Sequence, residues 1–223
     1  MNKSHQSIYN SIISLGYHND GLTYIYETGQ GGKQVCRASD LFKNIRDIEK
    51  TALASLGEKH RILDIGAGAG RISLYLQEKK FNITALEKSK VICGVLQKRG
   101  LDKVVNVDIF RYNPCEKYNT ALFFDAWSIL GKDKYSIDRT FTLLRKKILH
   151  EKSSIFFAFK NPFTKRDGCV KRRFILKSQK SFWFKSYFFD SDRLITAGKK
   201  YGWAIKDFYI DNSNQYFLIL SSA

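Results

Sequence analysis

The 223 residues suffice for one domain with a sizeable core, two small domains being the upper limit. Hydrophobic residues make up 43% of the chain and Pro occurs only 2 times, which excludes collagen-like, Pro-rich and largely disordered polymers. Lys and Arg number 38 against 21 Asp and Glu, and the resulting formal charge of +17 favours an anionic neighbour.

No run reaches the roughly 18–20 apolar residues of a membrane span, and the opening MNKSHQSIYN lacks the apolar core of a secretory leader. A soluble, cytoplasmic protein with no membrane partner is therefore expected. Cys36, Cys93, Cys115 and Cys169 form no CxxC pair and have no nearby His to complete a zinc site. Reduced thiols and no bound metal follow.

Along the chain, a Tyr-rich start (Tyr9, Tyr17, Tyr24, Tyr26) leads into TGQGGK, whose glycines permit a tight loop between two extended pieces, LTYIYE and KQVCR. The segment ASDLFKNIRDIEKTALASLG predicts a helix. Ser39 or Asp40 can cap it, Leu41, Ile45, Ile48 and Leu53 recur at helical spacing, and Gly57 is a stop. From Arg61 onward, short apolar runs (RILDIG, NITALE, KVVNVD, TALFFD, SSIFFAFK) alternate with helical stretches, which is the signature of βα units on a mainly parallel sheet. CVKRRFILK and SFWFKSYFF then read as two strands split by SQK. A helix, DSDRLITAGKKYG, and a last strand pair, WAIKDFYI and QYFLILSS, complete the chain. No repeat or low-complexity linker interrupts it, so residues 58–223 are expected to form one structural unit, preceded by an extension over residues 1–57.

The most informative segment is LDIGAGAGR, which puts Asp64, Gly66, Gly68 and Gly70 between a strand and a helix. Glycines serve where backbone turns sharply and a ligand approaches without a Cβ in the way. The spacing is GxGxG, with Arg71 where a dinucleotide fingerprint has its third glycine, and the Lys and Ser/Thr of a P-loop are missing. Glu87, Asp108 and Asp125 close the next three strands. Each alone is an ordinary cap or turn residue. Together on one sheet edge they point to a ligand carrying a nucleoside, Glu87 being able to accept hydrogen bonds from both ribose hydroxyls.

LDIGAGAGR, TALEKS, NVDIF and LFFDAWS resemble the motifs of class I S-adenosylmethionine-dependent methyltransferases, and the resemblance extends over Leu41 to Ala223. It implies a Rossmann-like α/β fold: a seven-stranded, mainly parallel sheet with an antiparallel last strand, an N-terminal cap segment and an extra β-hairpin after strand 5. It implies S-adenosylmethionine as cofactor, with Asp64, Gly66, Ala67, Gly68 and Gly70 cradling its methionine part. Glu87, with Lys88 beside it, would hold the ribose, and Asp108 and Ile109 the adenine. Asp125, Ala126 and Trp127 would face the sulfonium and substrate, with Asp125 and Trp127 as positioning residues of the catalytic step. The Tyr-rich start and CRASDLF resemble the cap of bacterial small-molecule-type members, with Arg37 and Phe42 leaning over the cofactor.

The charge is uneven: +5 before residue 111 and +12 from there on, with nine basic residues and one acid between Lys160 and Lys185. Phe163, Phe174, Phe182, Trp183 and Phe184 interleave with them. This mixture suits phosphate contacts with base stacking, an anionic small molecule or peptide carboxylate, or an edge hairpin protected by lysines. With no appended RNA-binding module, a small-molecule or peptide-like acceptor is the leading reading, with Tyr24, Tyr26, Trp127, Lys160, Arg173, Trp183 and Tyr187 as substrate-side residues. An RNA methyltransferase using the basic 160–185 hairpin and a non-catalytic nucleoside-binding module are the alternatives.

Overall fold

The computed structural model describes residues 4–43, 45–125, 127–131, 133, 135–160, 168–210 and 215–222, with backbone alone at 127, 128 and 160. The chain opens with helix α1 (His5–Gly16), to which the sequence reading assigns no element. Its signals are Ser4, whose hydroxyl accepts from the Ser7 N–H, and Ile8, Ile12 and Ile13, all buried on one face. Strands β1 (Thr23–Thr28) and β2 (Lys33–Arg37) form the hairpin around the glycine-rich loop.

The single helix predicted over 38–57 is two pieces instead: a 3₁₀ turn at Ala38–Leu41 and helix α2 (Asp47–Leu53). Arg46 is extended (φ −68°, ψ 153°), and its backbone N–H donates to the Glu49 carboxylate at 2.9 Å, so the cap starts α2 here and not at Ser39 or Asp40.

The βα alternation follows: β3 (Arg61–Ile65), α3 (Arg71–Glu78), β4 (Asn82–Glu87), α4 (Lys90–Lys98), β5 (Val104–Asn106), β6 (Tyr118–Phe124), the one-turn α5 (Trp127–Leu130), α6 (Ser136–Leu143) and β7 (Leu149–Lys160). Next come β8 (Gly168–Leu176), the short β9 (Gln179–Lys180), β10 (Phe184–Phe188), α7 (Ser191–Lys200), β11 (Trp203–Ile210) and β12 (Gln215–Ser222).

Seven strands form the main sheet in the order β11-β12-β7-β6-β3-β4-β5. Neighbours pair in parallel from β5 to β7, while β12, the last strand of the chain, runs antiparallel between β7 and β11. Alternate residues bury opposite faces. Ile62, Leu122, Phe124, Phe156 and Phe217 pack with Leu53 of α2 and Ile72 and Leu76 of α3, whereas Leu63, Phe123, Phe157 and Leu218 pack with Phe141 of α6 and Leu194 of α7. The product is a three-layer α/β/α unit of the Rossmann-like kind that the motifs imply.

The N-terminal hairpin and the segment after β7 meet in a second, antiparallel sheet, ordered β10-β8-β1-β2 with β9 beside β8. Its joint is β1 against β8, with Tyr26 opposite Phe174 and Glu27 opposite Arg173. The pair CVKRRFILK and SFWFKSYFF is thus a hairpin that also recruits the N-terminal extension. Among the described residues no helix is long and apolar enough to cross a membrane, and all four cysteines are free thiols.

Candidate active site

A cavity of about 490 Å³ lies between the carboxyl ends of β3, β4 and β6 and the second sheet. Its floor begins with the β3–α3 loop, where Gly66, Gly68 and Gly70 have φ of 77°, 54° and 84°. Two of these glycines serve different ends. A Cβ at Gly68 would meet only the Gly66 carbonyl and the Tyr9 hydroxyl, each at 3.9 Å, so that face is a cradle open to the cavity. A Cβ at Gly70 would collide with Leu96, so this residue lets α4 close on the loop.

Glu87 ends β4 at 8% exposure and lines the cavity. Its oxygens accept from the backbone N–H groups of Ser89 (2.9 Å) and Gly68 (3.3 Å), which ties the acid to the glycine loop. Burial pushes its carboxyl above the ordinary range, and those two donors oppose the rise. Asp108 caps the short turn after β5, accepting from the Phe110 N–H at 2.9 Å, and reaches the cavity wall with Ile109. Asp64 is buried below the loop and accepts from the Ser73 hydroxyl at 2.6 Å; burial raises its carboxyl to about 6.

Asp125, directly after β6, holds a left-handed backbone (φ 56°), uncommon for a residue with a side chain. Its carboxylate accepts from Arg46 at 2.8 Å and Arg71 at 3.2 Å, and both arginines also grip Glu49, whose side chain is fully buried. Burial alone would raise the Glu49 carboxyl, but the two guanidinium groups outweigh it and hold it below the usual range. This four-residue network explains Arg71 in the GxGxG-R pattern. The arginine fastens the first turn of α3 to α2 and to the end of β6.

The roof comes from α1 and the second sheet. Tyr24 and Tyr26 of β1 and Arg172 and Phe174 of β8 line the cavity in alternation along their strands, joined by Phe184, Lys185 and Ser186 of β10. His5 and Tyr9, one helical turn apart on α1, close one side. The His5 ring stacks on Phe184 with centroids 4.4 Å apart. Burial, then the charges of Lys88 and Arg172, hold the imidazole pKa below its ordinary 6.5. Burial likewise raises the Tyr9 hydroxyl, which stays a phenol.

Of the residues singled out in the sequence, Gly66, Gly68, Glu87, Lys88, Asp108, Ile109, Asp125, Tyr24 and Tyr26 meet around this cavity. Others lie apart from its lining. Arg37 is exposed at the end of β2. Phe42 packs against Tyr17 and lies under the Arg99 guanidinium, 5.2 Å from it, outside the cavity. Ala67 packs toward Leu96 and Leu101, and Gly70 faces Leu96.

On the substrate side, Arg173 pairs with Glu27 at 2.5 Å and lies 4.5 Å from the Trp183 ring, on the strand face opposite Arg172 and Phe174. Tyr187 packs against the main core, its N–H donating to the Gly131 carbonyl. Ala126, Phe163 and the side chains of Trp127 and Lys160 lie outside the described residues. Phe174 and Phe184, aromatics of the basic stretch, also reach the cavity, whereas sequence reasoning missed His5, Gln6, Tyr9, Arg172 and Ser186 as cavity residues. The signal was the two-residue repeat 172/174, which needs the strand register before it can be read.

A glycine cradle, an acid at the end of each of two neighbouring strands and a roof above them place a ligand-sized cavity at the carboxyl edge of a Rossmann-like sheet. The family model for DREV methyltransferases matches residues 3–131, more than half of the chain, and the protein belongs to that family.

A probable ribosomal RNA small subunit methyltransferase A from Methanosarcina barkeri is 36% identical over 98 residues, covering 43% of this chain and 32% of that relative, so the match spans about a third of the relative's length. Among solved structures, a Bacteroides fragilis SAM-dependent methyltransferase in complex with S-adenosyl-L-homocysteine superposes with a TM-score of 0.80 at 20% identity, over 96% of this chain and 94% of the other. The glycopeptide N-methyltransferase MtfA gives 0.63 at 11% identity, over 79% and 89%. A SAM-dependent methyltransferase from Methanosarcina mazei gives 0.64 at 16% identity, over 81% and 99%. At these identities the likeness is one of fold.

Proposed function

We propose that this methyltransferase, with S-adenosylmethionine as its cofactor, transfers a methyl group to a small-molecule or peptide-like acceptor by in-line displacement. The residues fit the cofactor. Gly68 presents an open, Cβ-free face, Glu87 and Asp108 offer carboxylate oxygens on the same cavity wall, and Ile65, Leu86 and Ile109 supply apolar surface for a base. Gly66 and Gly68 would hold the methionine part, Glu87 the ribose and Asp108 with Ile109 the adenine. When bound, the cofactor supplies an electrophilic methyl on a sulfonium, whose departure needs no acid.

The protein's part is then alignment and exclusion of water. Asp125, fixed by Arg46 and Arg71, keeps the end of β6 in a defined shape beside the glycine loop. Tyr24, Tyr26, Phe174 and Phe184 cover the opposite side with aromatic surface. For an acceptor that must lose a proton, His5 offers a neutral imidazole on the cavity wall.

The observation that carries the acceptor class is the roof. It closes the strand ends into one cavity of about 490 Å³, a volume suited to one drug-sized ligand. An acceptor has to reach the strand ends beneath this roof, which suits a small molecule or one protruding side chain. An RNA acceptor is the second reading, favoured by exposed Lys171, Lys177 and Lys180 on the second sheet and by the ribosomal RNA methyltransferase relative. Incubating the enzyme with methyl-labelled cofactor and a fractionated cell extract separates the two by mass spectrometry. Label in the metabolite or peptide fraction is expected. Label confined to RNA overturns the proposal.

A further inference from the structure

Arg172 has an environment that the function so far leaves unexplained. It lies on the cavity-facing side of β8, its guanidinium carbon 5.2 Å from the centre of the Tyr26 ring, 5.5 Å from Phe184 and 5.0 Å from Phe188. One terminal nitrogen donates to the Tyr26 hydroxyl. Its Nε is buried and has no hydrogen-bond partner among the described residues. Among the same residues no carboxylate pairs with it, since the nearby Glu27 is engaged by its neighbour Arg173 on the other strand face. An arginine held among aromatic rings at a cavity wall, with donors to spare, is a fork awaiting a planar anion.

The surroundings agree. Lys88 and Lys185 also line the cavity, and the positive charge of Lys88 and Arg172 is felt at His5, whose imidazole is driven toward its neutral form. The acids, Glu87, Asp108 and Asp125, are all on the floor, where the cofactor is assigned. Phe174 and Phe184, flanking Arg172 on the same sheet face with ring centroids 5.4 Å apart, offer apolar contact to a flat molecule.

We propose that Arg172 is the specificity-determining residue for the acceptor, and that the acceptor is a small, flat molecule bearing a carboxylate or phosphate that this guanidinium binds. The proposal rests on the reading of the cavity as cofactor floor and acceptor roof. The rank of Arg172 over Arg173 follows from β8 register alone. Arg173 spends its charge on Glu27, outside the cavity.

The test uses the full chain saturated with S-adenosylhomocysteine and three probes, benzoate, phenyl phosphate and the neutral benzamide, titrated by ligand-observed NMR. Benzoate or phenyl phosphate should bind at least about tenfold more tightly than benzamide. Whichever of the two binds better tells carboxylate from phosphate. Arg172→Gln should abolish that preference and Arg172→Lys retain part of it, while Arg173→Gln leaves it intact.

Equal binding of benzamide and the two anions by the wild-type protein overturns the proposal without recourse to any variant. So does an anion preference that survives Arg172→Gln in a protein whose melting curve is unchanged. A single-stranded RNA oligonucleotide that binds with steep salt dependence where both small anions fail also overturns it, in favour of a nucleic-acid acceptor. S-adenosylhomocysteine binding is measured separately, so failure of the cofactor reading is seen as loss of that binding and not as loss of anion preference.

Discussion

On the floor of the cavity, the acids stand at strand ends of one parallel sheet and are tied down there: Glu87 by the N–H groups of Ser89 and Gly68, Asp108 by that of Phe110, and Asp125 by the guanidinium groups of Arg46 and Arg71. On the roof, the groups come from segments far apart in sequence. Tyr26 and Arg172 are 146 residues apart and meet only because β1 pairs with β8. The floor is acidic and rigidly tied, the roof aromatic and basic. A fold can therefore keep one cofactor site while changing acceptors, because the two halves answer to different parts of the chain.

The largest effect is expected where the floor is braced. Glu49→Ala leaves Arg46 and Arg71 with only Asp125 to neutralise them, and removing one partner from a buried ionic cluster costs about 3–5 kcal/mol. Urea unfolding measures the loss. A change below about 1 kcal/mol would show that the network does not brace the loop.

Asp64 gives a pH-dependent effect nearly as large. Its folded carboxyl titrates at about 6 against an ordinary 3.8, so between those values the folded protein keeps a proton that the unfolded chain releases. Stability contributed by this group falls as pH rises through the window, by about 3 kcal/mol at about 1.4 kcal/mol per pH unit. In paired unfolding curves, Asp64→Asn should gain on the wild-type protein by that amount between pH 4 and pH 7. A gap independent of pH contradicts the burial of an ionisable carboxyl there.

The smallest effect should come from Arg173→Gln. Its charge is turned away from the cavity, so S-adenosylhomocysteine affinity should be unchanged in calorimetry. A weakened cofactor would mean that the outer face of the second sheet takes part in the site.

The same contrast explains what the sequence discloses. The floor was legible because strand ends recur along the chain: Gly66, Gly68, Glu87, Asp108, Ile109 and Asp125 each follow an apolar run, and the sheet order brings those ends to one edge. The main sheet, down to the reversed last strand, followed from the same alternation and the resemblance it supports. The roof was hidden for two reasons. Pairing of β1 with β8 is non-local, and a strand presents alternate residues, so the sequence-chosen Arg173 lies on the face away from the cavity while Arg172 lines it. Helix α1 was obscured by the Tyr-rich look of the segment that Tyr9 opens, although Ser4 and the spacing of Ile8, Ile12 and Ile13 encode it. The predicted 38–57 helix failed at Arg46, whose extended backbone and bond to Glu49 start the helix anew.

The central claim is that the acidic floor binds the cofactor independently of the roof, and titration calorimetry with S-adenosylhomocysteine tests it most directly. The account predicts a single saturable site in the wild-type protein, weakened by about 1.5–3 kcal/mol, or roughly 10- to 150-fold, in Glu87→Ala, and little altered in Arg172→Gln. Absence of binding, or an affinity indifferent to Glu87 and dependent on Arg172, would contradict it.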